Sequence, residues 1–206
     1  MEAGIGQNQI PVMEHFYTLQ GEGFWSGTPA YFIRLAGCDV GCVWCDVKDS
    51  WKVAPSQILA IDLLVDFVRS SPCKHVVITG GEPAMYDLSA LTSALKKCGL
   101  KVHIETSGVY PIRGTFDWIC MSPKKFKSAL IENFSLADEL KIIIFNDSDF
   151  QWAESEAVKC TNPKTIFYLQ PEWGKKEKFN HKITEYIKAH PRWRLSLQTH
   201  KYVDIP

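Results

Sequence analysis

The 206-residue chain has no excess of charge of either sign, since 23 Lys and Arg stand against 23 Asp and Glu. Without a net basic field it gathers few phosphate groups, which excludes nucleic acid as its main partner. It has no apolar run near the ~18 to 20 residues that cross a bilayer, so no membrane span is expected. The start, Met1 to Gln7, lacks the basic head and apolar stretch of a secretory leader, and a cytoplasmic protein is expected. Repeats, low-complexity tracts and Pro/Gly/Ser linkers are missing as well. Residues 1–206 therefore read as one domain, long enough to bury a core without disulfides. A paired cysteine framework is also lacking: seven is an odd number, and Cys38, Cys42 and Cys45 crowd into a span where mutual bridges would be strained. Reduced thiols are expected, with Cys73, Cys98, Cys120 and Cys160 scattered as small hydrophobes.

What is present alternates between two periodicities. β-rich runs lie at 30–35, 75–79, 101–105, 118–121, 140–145, 165–169 and 194–197. Helical patterns lie between several of them, at 56–69, 88–98, 149–159 and 178–189. In the first, Ile58, Ile61, Leu64, Val65 and Val68 form a stripe behind Ser56 as N-cap. Alternation of this kind predicts an α/β fold with a mostly parallel sheet of about six strands and right-handed crossovers. A complete eight-fold barrel takes about 250 residues, so the chain is expected to make a partial barrel, with its chemistry at the carboxyl ends of the strands.

The unusual residues fall on that edge. Cys38, Cys42 and Cys45 follow the first predicted strand at C-x3-C-x2-C spacing. Three thiolates from one loop can hold a [4Fe-4S] cluster and leave one iron free for another ligand. The amino and carboxylate groups of S-adenosylmethionine (SAM) suit that iron, and an electron from the cluster can then cleave the sulfonium to generate a hydrogen-abstracting radical. The competing reading is a structural zinc site, which needs a fourth Cys or His in a closed shell, with Cys73 and His75 as candidates. Thr79-Gly80-Gly81-Glu82-Pro83 follows the second of these strands, where glycines permit close backbone approach. Ser107 follows the third, Ser122-Pro123-Lys124 the fourth and Gln170 the sixth.

Set beside the cysteine loop, Gly80-Gly81-Glu82 resembles the GGE motif of radical SAM enzymes, which receives the SAM amino group. Phe16-Tyr17-Thr18-Leu19-Gln20-Gly21-Glu22-Gly23, then Phe32-Ile33-Arg34-Leu35-Ala36-Gly37-Cys38, and a tail running from Trp193 through Gln198-Thr199-His200-Lys201-Tyr202, resemble the 7-carboxy-7-deazaguanine synthase family. The resemblance covers about residues 12–206. It implies a shortened, modified radical SAM (β/α) barrel and a radical ring contraction of 6-carboxy-5,6,7,8-tetrahydropterin, with loss of ammonia, in queuosine biosynthesis. It further implies a lyase, a homodimer and an external electron donor such as flavodoxin. By the same resemblance Trp44, Cys45, Asp46, Gly80, Gly81, Glu82, Ser107, Ser122, Pro123, Lys124 and Gln170 surround SAM. Leu19, Gln20, Gly21, Glu22, Arg34, Thr79, His200 and the terminal carboxylate of Pro206 surround the substrate. Glutamine and glutamate suit the donor and acceptor groups of a pterin edge, and arginine suits a carboxylate.

In one place the chain departs from the pattern. The family carries Cys-Asp-Thr after the third thiol, its threonine hydroxyl helping to hold Mg²⁺, whereas this chain has Cys45-Asp46-Val47. Asp46 with waters and substrate would have to complete an octahedral shell without a ligand from Val47. The Lys175, Lys176 and Lys178 run reads either as a solvated face or as a dock for the electron donor. A glycyl-radical-enzyme activase shares the cluster and a small barrel, but neither the Gln20, Glu22 and Arg34 set nor the tail is expected there.

Overall fold

The computed structural model describes Gly6 and residues 8–206. In chain order its strands are β1 (Gln9–Leu19), β2 (Pro29–Leu35), β3 (Ile58–Ala60), β4 (His75–Gly80), β5 (Lys101–Thr106), β6 (Trp118–Met121), β7 (Glu139–Ile144), β8 (Ile166–Pro171) and β9 (Trp193–Leu195). The helices are α1 (Ile61–Arg69), α2 (Ser89–Lys97), α3 (Ser148–Ala157), α4 (Lys176–Ala189) and the short α5 (Thr199–Tyr202). All nine strands join one sheet, ordered β3-β1-β2-β4-β5-β6-β7-β8-β9. From β2 to β9 the neighbours are parallel, while β1 runs antiparallel to both β2 and β3.

The expected α/β fold with a mostly parallel sheet is what forms, and the sheet is larger than the expected six or so strands. β1 is the main addition: its alternation is interrupted by Pro11 and by a register shift between Val12 and Glu14. The helix predicted from 56 begins only at Ile61, with Ala60 at its N-cap position. Ser56 instead sits in a 3-10 turn at Pro55–Gln57. Ile58–Ala60 are drawn into β3 because the free side of β1 offers them backbone partners at Gln9, Ile10 and Pro11.

Alternation along the strands sorts the faces. Outward-facing Ile33, Leu35, Val76, Ile78, Val102 and Ile104 pack with Leu64, Val65 and Val68 of α1 and Leu91 and Leu95 of α2. Leu140, Ile142, Ile144 and Leu169 pack the same way with Ala153 of α3 and with Phe179 and Ile183 of α4. The inner face carries the intervening residues, and many are polar: Arg34, Thr79, Glu105, Lys141 and Gln170. The sheet is open, ending at β3 and β9. The concave side is filled by the loop joining β1 to β2, which enters from the N-terminal edge, where Trp25 packs on His75 and His103 and Phe24 stacks on Trp118. Burial and the neighbouring His75 hold the His103 imidazole down at about 4, so that ring is uncharged at neutral pH.

Leu64 is fully buried under β2 and β4, and Leu64→Ala is expected to cost about 2–5 kcal/mol in urea denaturation. Ser56→Ala should cost under ~0.5 kcal/mol, where loss of a true N-cap would cost ~1. A full cap-sized loss at Ser56 would contradict the helix start at Ile61.

Candidate active site

The carboxyl ends of the parallel strands surround a cleft of about 280 Å³, and every residue predicted to meet SAM or substrate lines it except Pro123. Pro123 is buried behind the turn that carries Ser122 and Lys124.

The cysteine loop is anchored by backbone contacts. Gly81 N–H donates to the Leu35 carbonyl at 2.9 Å and Glu82 N–H to the Gly37 carbonyl at 2.9 Å, while Gly37 N–H reaches Ser50 O at 2.6 Å. At Gly80, where φ is +133°, a Cβ would stand 2.2 Å from the Leu35 oxygen, and at Gly81 it would stand 2.2 Å from the Gly37 oxygen. Both positions demand glycine because another stretch of backbone lies against them. The approaching partner is thus the thiol-bearing loop itself as well as any ligand in the cleft.

Glu82, expected to meet SAM, is almost wholly buried. One of its oxygens accepts from Ala84 N–H at 3.0 Å and from the Thr106 hydroxyl, the other from Ser107 N–H at 2.8 Å and from the Ser107 hydroxyl. Four donors saturate a carboxylate. Glu82 therefore ties the end of β4 to that of β5 on the wall of the cleft. Lys124 donates to the Ser122 hydroxyl at 2.6 Å. Burial draws its ammonium below the usual lysine range.

Cys38, Cys42 and Cys45 are free, half-buried and on the cleft wall. Burial pushes the Cys38 and Cys42 thiols up, a penalty that iron ligation offsets by supplying positive charge. Among the described residues no three His, Cys, Asp or Glu side chains gather closely enough to hold a single metal ion. A tetrahedral zinc would need its ligands so gathered, whereas a cubane binds each thiolate on a separate iron. His75, at the first residue of β4, lies at the opposite edge of the sheet. Three thiols on one open loop fit a [4Fe-4S] cluster, and the adjoining cleft fits its ligand.

The substrate side holds a residue that the sequence reading missed. Lys141 of β7 is 4% exposed and lies on the cleft wall, paired with Glu22 and 4.0 Å from Glu105. Glu105 was also overlooked. The signal was a lone charge at an inward position of an apolar strand, Leu140-Lys141-Ile142. Burial works to raise the Glu22 carboxyl, but the charge and hydrogen bond of Lys141, with bonds from Gln198 and Gln170, outweigh it and hold it at about 2. Gln20 donates to Glu105 at 2.8 Å and its own oxygen receives Glu22 N–H at 3.1 Å. Arg34 lines the cleft with its Nε donating to Glu14 at 2.7 Å. This ion pair engages Nε, and the terminal nitrogens are left to a ligand in the cleft.

The tail completes the wall between β9 and β1. Thr199 N–H reaches Gly21 O at 2.9 Å, Gln198 reaches Glu22 at 2.9 Å, and the Ser196 hydroxyl donates to Gln170 at 2.6 Å. His200 packs so closely on Gly21 that a Cβ there would lie 2.1 Å from its Nδ1. Asp46, the expected Mg²⁺ ligand, instead receives Lys201 Nζ at 2.7 Å and Gln198 Nε2 at 3.4 Å. Val47 contributes only its backbone carbonyl, which is taken by Ser50 N–H at 3.0 Å and the Ser50 hydroxyl at 2.6 Å. This donor set does not fit a hard cation that wants six oxygens.

Because the Glu22 carboxyl lies below its ordinary 4.5, its contribution to stability is present above about 4.5 and is lost as pH falls toward about 2. Lys141→Met leaves that carboxylate buried without a cation. The expected loss is about 3–5 kcal/mol at pH 7, shrinking toward pH 5 as Glu22 takes up a proton, read by urea denaturation at the two pH values. An equal loss at both would show that Lys141 is not the partner that keeps Glu22 ionised.

A profile of the Radical SAM superfamily matches residues 32–122. The chain is 51% identical over 197 residues to the 7-carboxy-7-deazaguanine synthase of Flavobacterium psychrophilum, covering 96% of this chain and 93% of that one. It is 38% identical over 223 residues to the synthase of the same name from Escherichia coli K12, covering 96% and 99%. The crystal structure of QueE from Escherichia coli superposes with a TM-score of 0.85 at 34% identity, over 95% of this chain and 96% of that one. With its thiol loop, its strand-end cleft and relatives matched over nearly their whole length, the chain belongs to the 7-carboxy-7-deazaguanine synthase family of radical SAM enzymes.

Proposed function

We propose that the chain converts 6-carboxy-5,6,7,8-tetrahydropterin to 7-carboxy-7-deazaguanine, a radical lyase step of queuosine biosynthesis that removes one ammonia. The observation that carries this reading is the shared cleft, in which three free thiols lie on one wall and a Lys141-stabilised pair of carboxylates on another. When bound, the cluster and SAM supply reductive cleavage of the sulfonium and hence removal of a hydrogen atom at C6.

The protein's own residues do the positioning. Glu22 and Glu105 accept from the amino and ring N–H groups of the pterin, and Gln20 orients both. The Arg34 terminal nitrogens and Thr79, adjacent across β2 and β4, take the substrate carboxylate. Gly80, Gly81, Ser107, Ser122, Lys124 and Gln170 border SAM, with Trp44 stacked on Phe145 at its edge. Glu82 borders SAM as well and holds this wall together by tying β4 to β5. His200, its ring kept neutral by burial, and the Pro206 carboxylate close the substrate side. Water is kept from the reacting centre by the tail.

In this reading one domain carries the whole reaction, two copies work together, and a flavodoxin-like donor supplies the electron. The Lys175, Lys176 and Lys178 run supports that last point, because it opens α4 beside Trp173, with Lys176 4.1 Å over the Trp173 ring and Trp173 on the cleft wall. No helix among the described residues is long and apolar enough to cross a membrane.

Anaerobic reconstitution with SAM, reductant and the carboxypterin is expected to yield 7-carboxy-7-deazaguanine by mass spectrometry. SAM cleavage over an intact cluster without that product would overturn the reading. Replacing any one of Cys38, Cys42 or Cys45 by Ala should abolish 5′-deoxyadenosine formation, whereas Cys98→Ala should leave it intact. One residue added after Pro206 should raise KM for the pterin without changing iron content; an unchanged KM would remove the tail carboxylate from the site.

A further inference from the structure

Asp46 stands where a cation site of this loop would be built, beside Val47, yet its carboxylate is committed elsewhere. Lys201 Nζ donates to it at 2.7 Å and to the Gln198 oxygen at 3.2 Å. Gln198 in turn donates to Asp46 at 3.4 Å and to Glu22 at 2.9 Å. The Lys201 side chain is 23% exposed and lies 5.4 Å from the Trp173 ring, so its ammonium is held from two sides. The result is a continuous polar link from the thiol loop, through the tail, to the carboxylates on the substrate wall. Its anchoring residue sits between His200 and Pro206, both on the cleft. A divalent ion at Asp46 would have to displace a tethered ammonium and would find no hydroxyl at Val47.

We propose that Lys201 does for this chain what its family entrusts to a divalent cation: it neutralises Asp46 and fixes the C-terminal segment over the cleft, so that pterin binding and turnover require no Mg²⁺. Lys201 is a positioning residue, acting through Asp46 and Gln198. The inference rests on the synthase reading for its substrate, and its first readout is independent of turnover.

That readout is Mn²⁺, a paramagnetic probe for Mg²⁺ sites, titrated by EPR into the reconstituted enzyme with SAM and 7-carboxy-7-deazaguanine in metal-stripped buffer. The free-ion signal is expected to be undiminished, and uptake of one Mn²⁺ per chain would overturn the proposal. Turnover in the same buffer should change by less than about two-fold on adding Mg²⁺, and a ten-fold or greater rise would overturn it. Lys201→Met should raise KM for the pterin about ten-fold with a smaller change in kcat, and Lys201→Arg should restore it. An unchanged KM in Lys201→Met would remove Lys201 from its positioning role. If no deazaguanine forms under any metal condition, the synthase reading fails, and the Mn²⁺ titration still decides whether Asp46 is a metal ligand.

Discussion

The carboxyl-end edge of this sheet hangs on one crossing of backbones, where the end of β4 presses against the first turn after β2. Two glycines make that approach sterically open, and two N–H groups bond the carbonyls of Leu35 and Gly37. Glycine costs conformational entropy in a strand end, and here the cost is offset by fixing three things at once. The thiol loop gains a rigid base, the turn at Gly80-Gly81 forms the floor of the cleft, and Glu82 is aimed at Thr106 and Ser107 so that β4 and β5 end in register. A side chain at either glycine would push the cysteine loop off the strand that orients it.

The second determinant is how a sheet that never closes encloses a polar interior. Edge strands β3 and β9 are far apart in the ladder, and the gap is bridged by loop and tail contacts, Gly21 to Thr199 and Glu22 to Gln198. Inside, Glu22 and Glu105 are matched by a single lysine cation, Lys141. Such groups are costly to bury, and breaking a buried pair costs more than the pair itself contributes. Their presence on the concave face marks the place where apolar packing has been given up for recognition of a polar ligand.

Much of this was visible in the residues. Apart from β3, the strands from Ala30 onward and four helices fall close to where alternation and helical stripes put them, and the Cys38, Cys42 and Cys45 spacing identifies a cluster loop. β1 was not visible, because Pro11 breaks its pattern and its register shifts between Val12 and Glu14. The start of α1 was misread because Ile58 fits a helical stripe as well as it fits the strand that β1 recruits. Lys141 and Glu105 were missed because a single charge in a strand has no motif around it; their meaning comes from lying side by side on the inner face, with β6 between their strands.

The sequence by itself determined the chemistry available, since thiol spacing, glycines and the signatures at both ends are local properties that survive without coordinates. Only the tertiary structure decided the partners. Glu82 became a tie between two strand ends, Glu22 became a carboxylate held ionised by Lys141, and Asp46 became the anchor of Lys201. Each of these depends on the fields and hydrogen bonds of residues tens to more than a hundred positions away, and long-range contacts of that kind leave no mark in a local pattern.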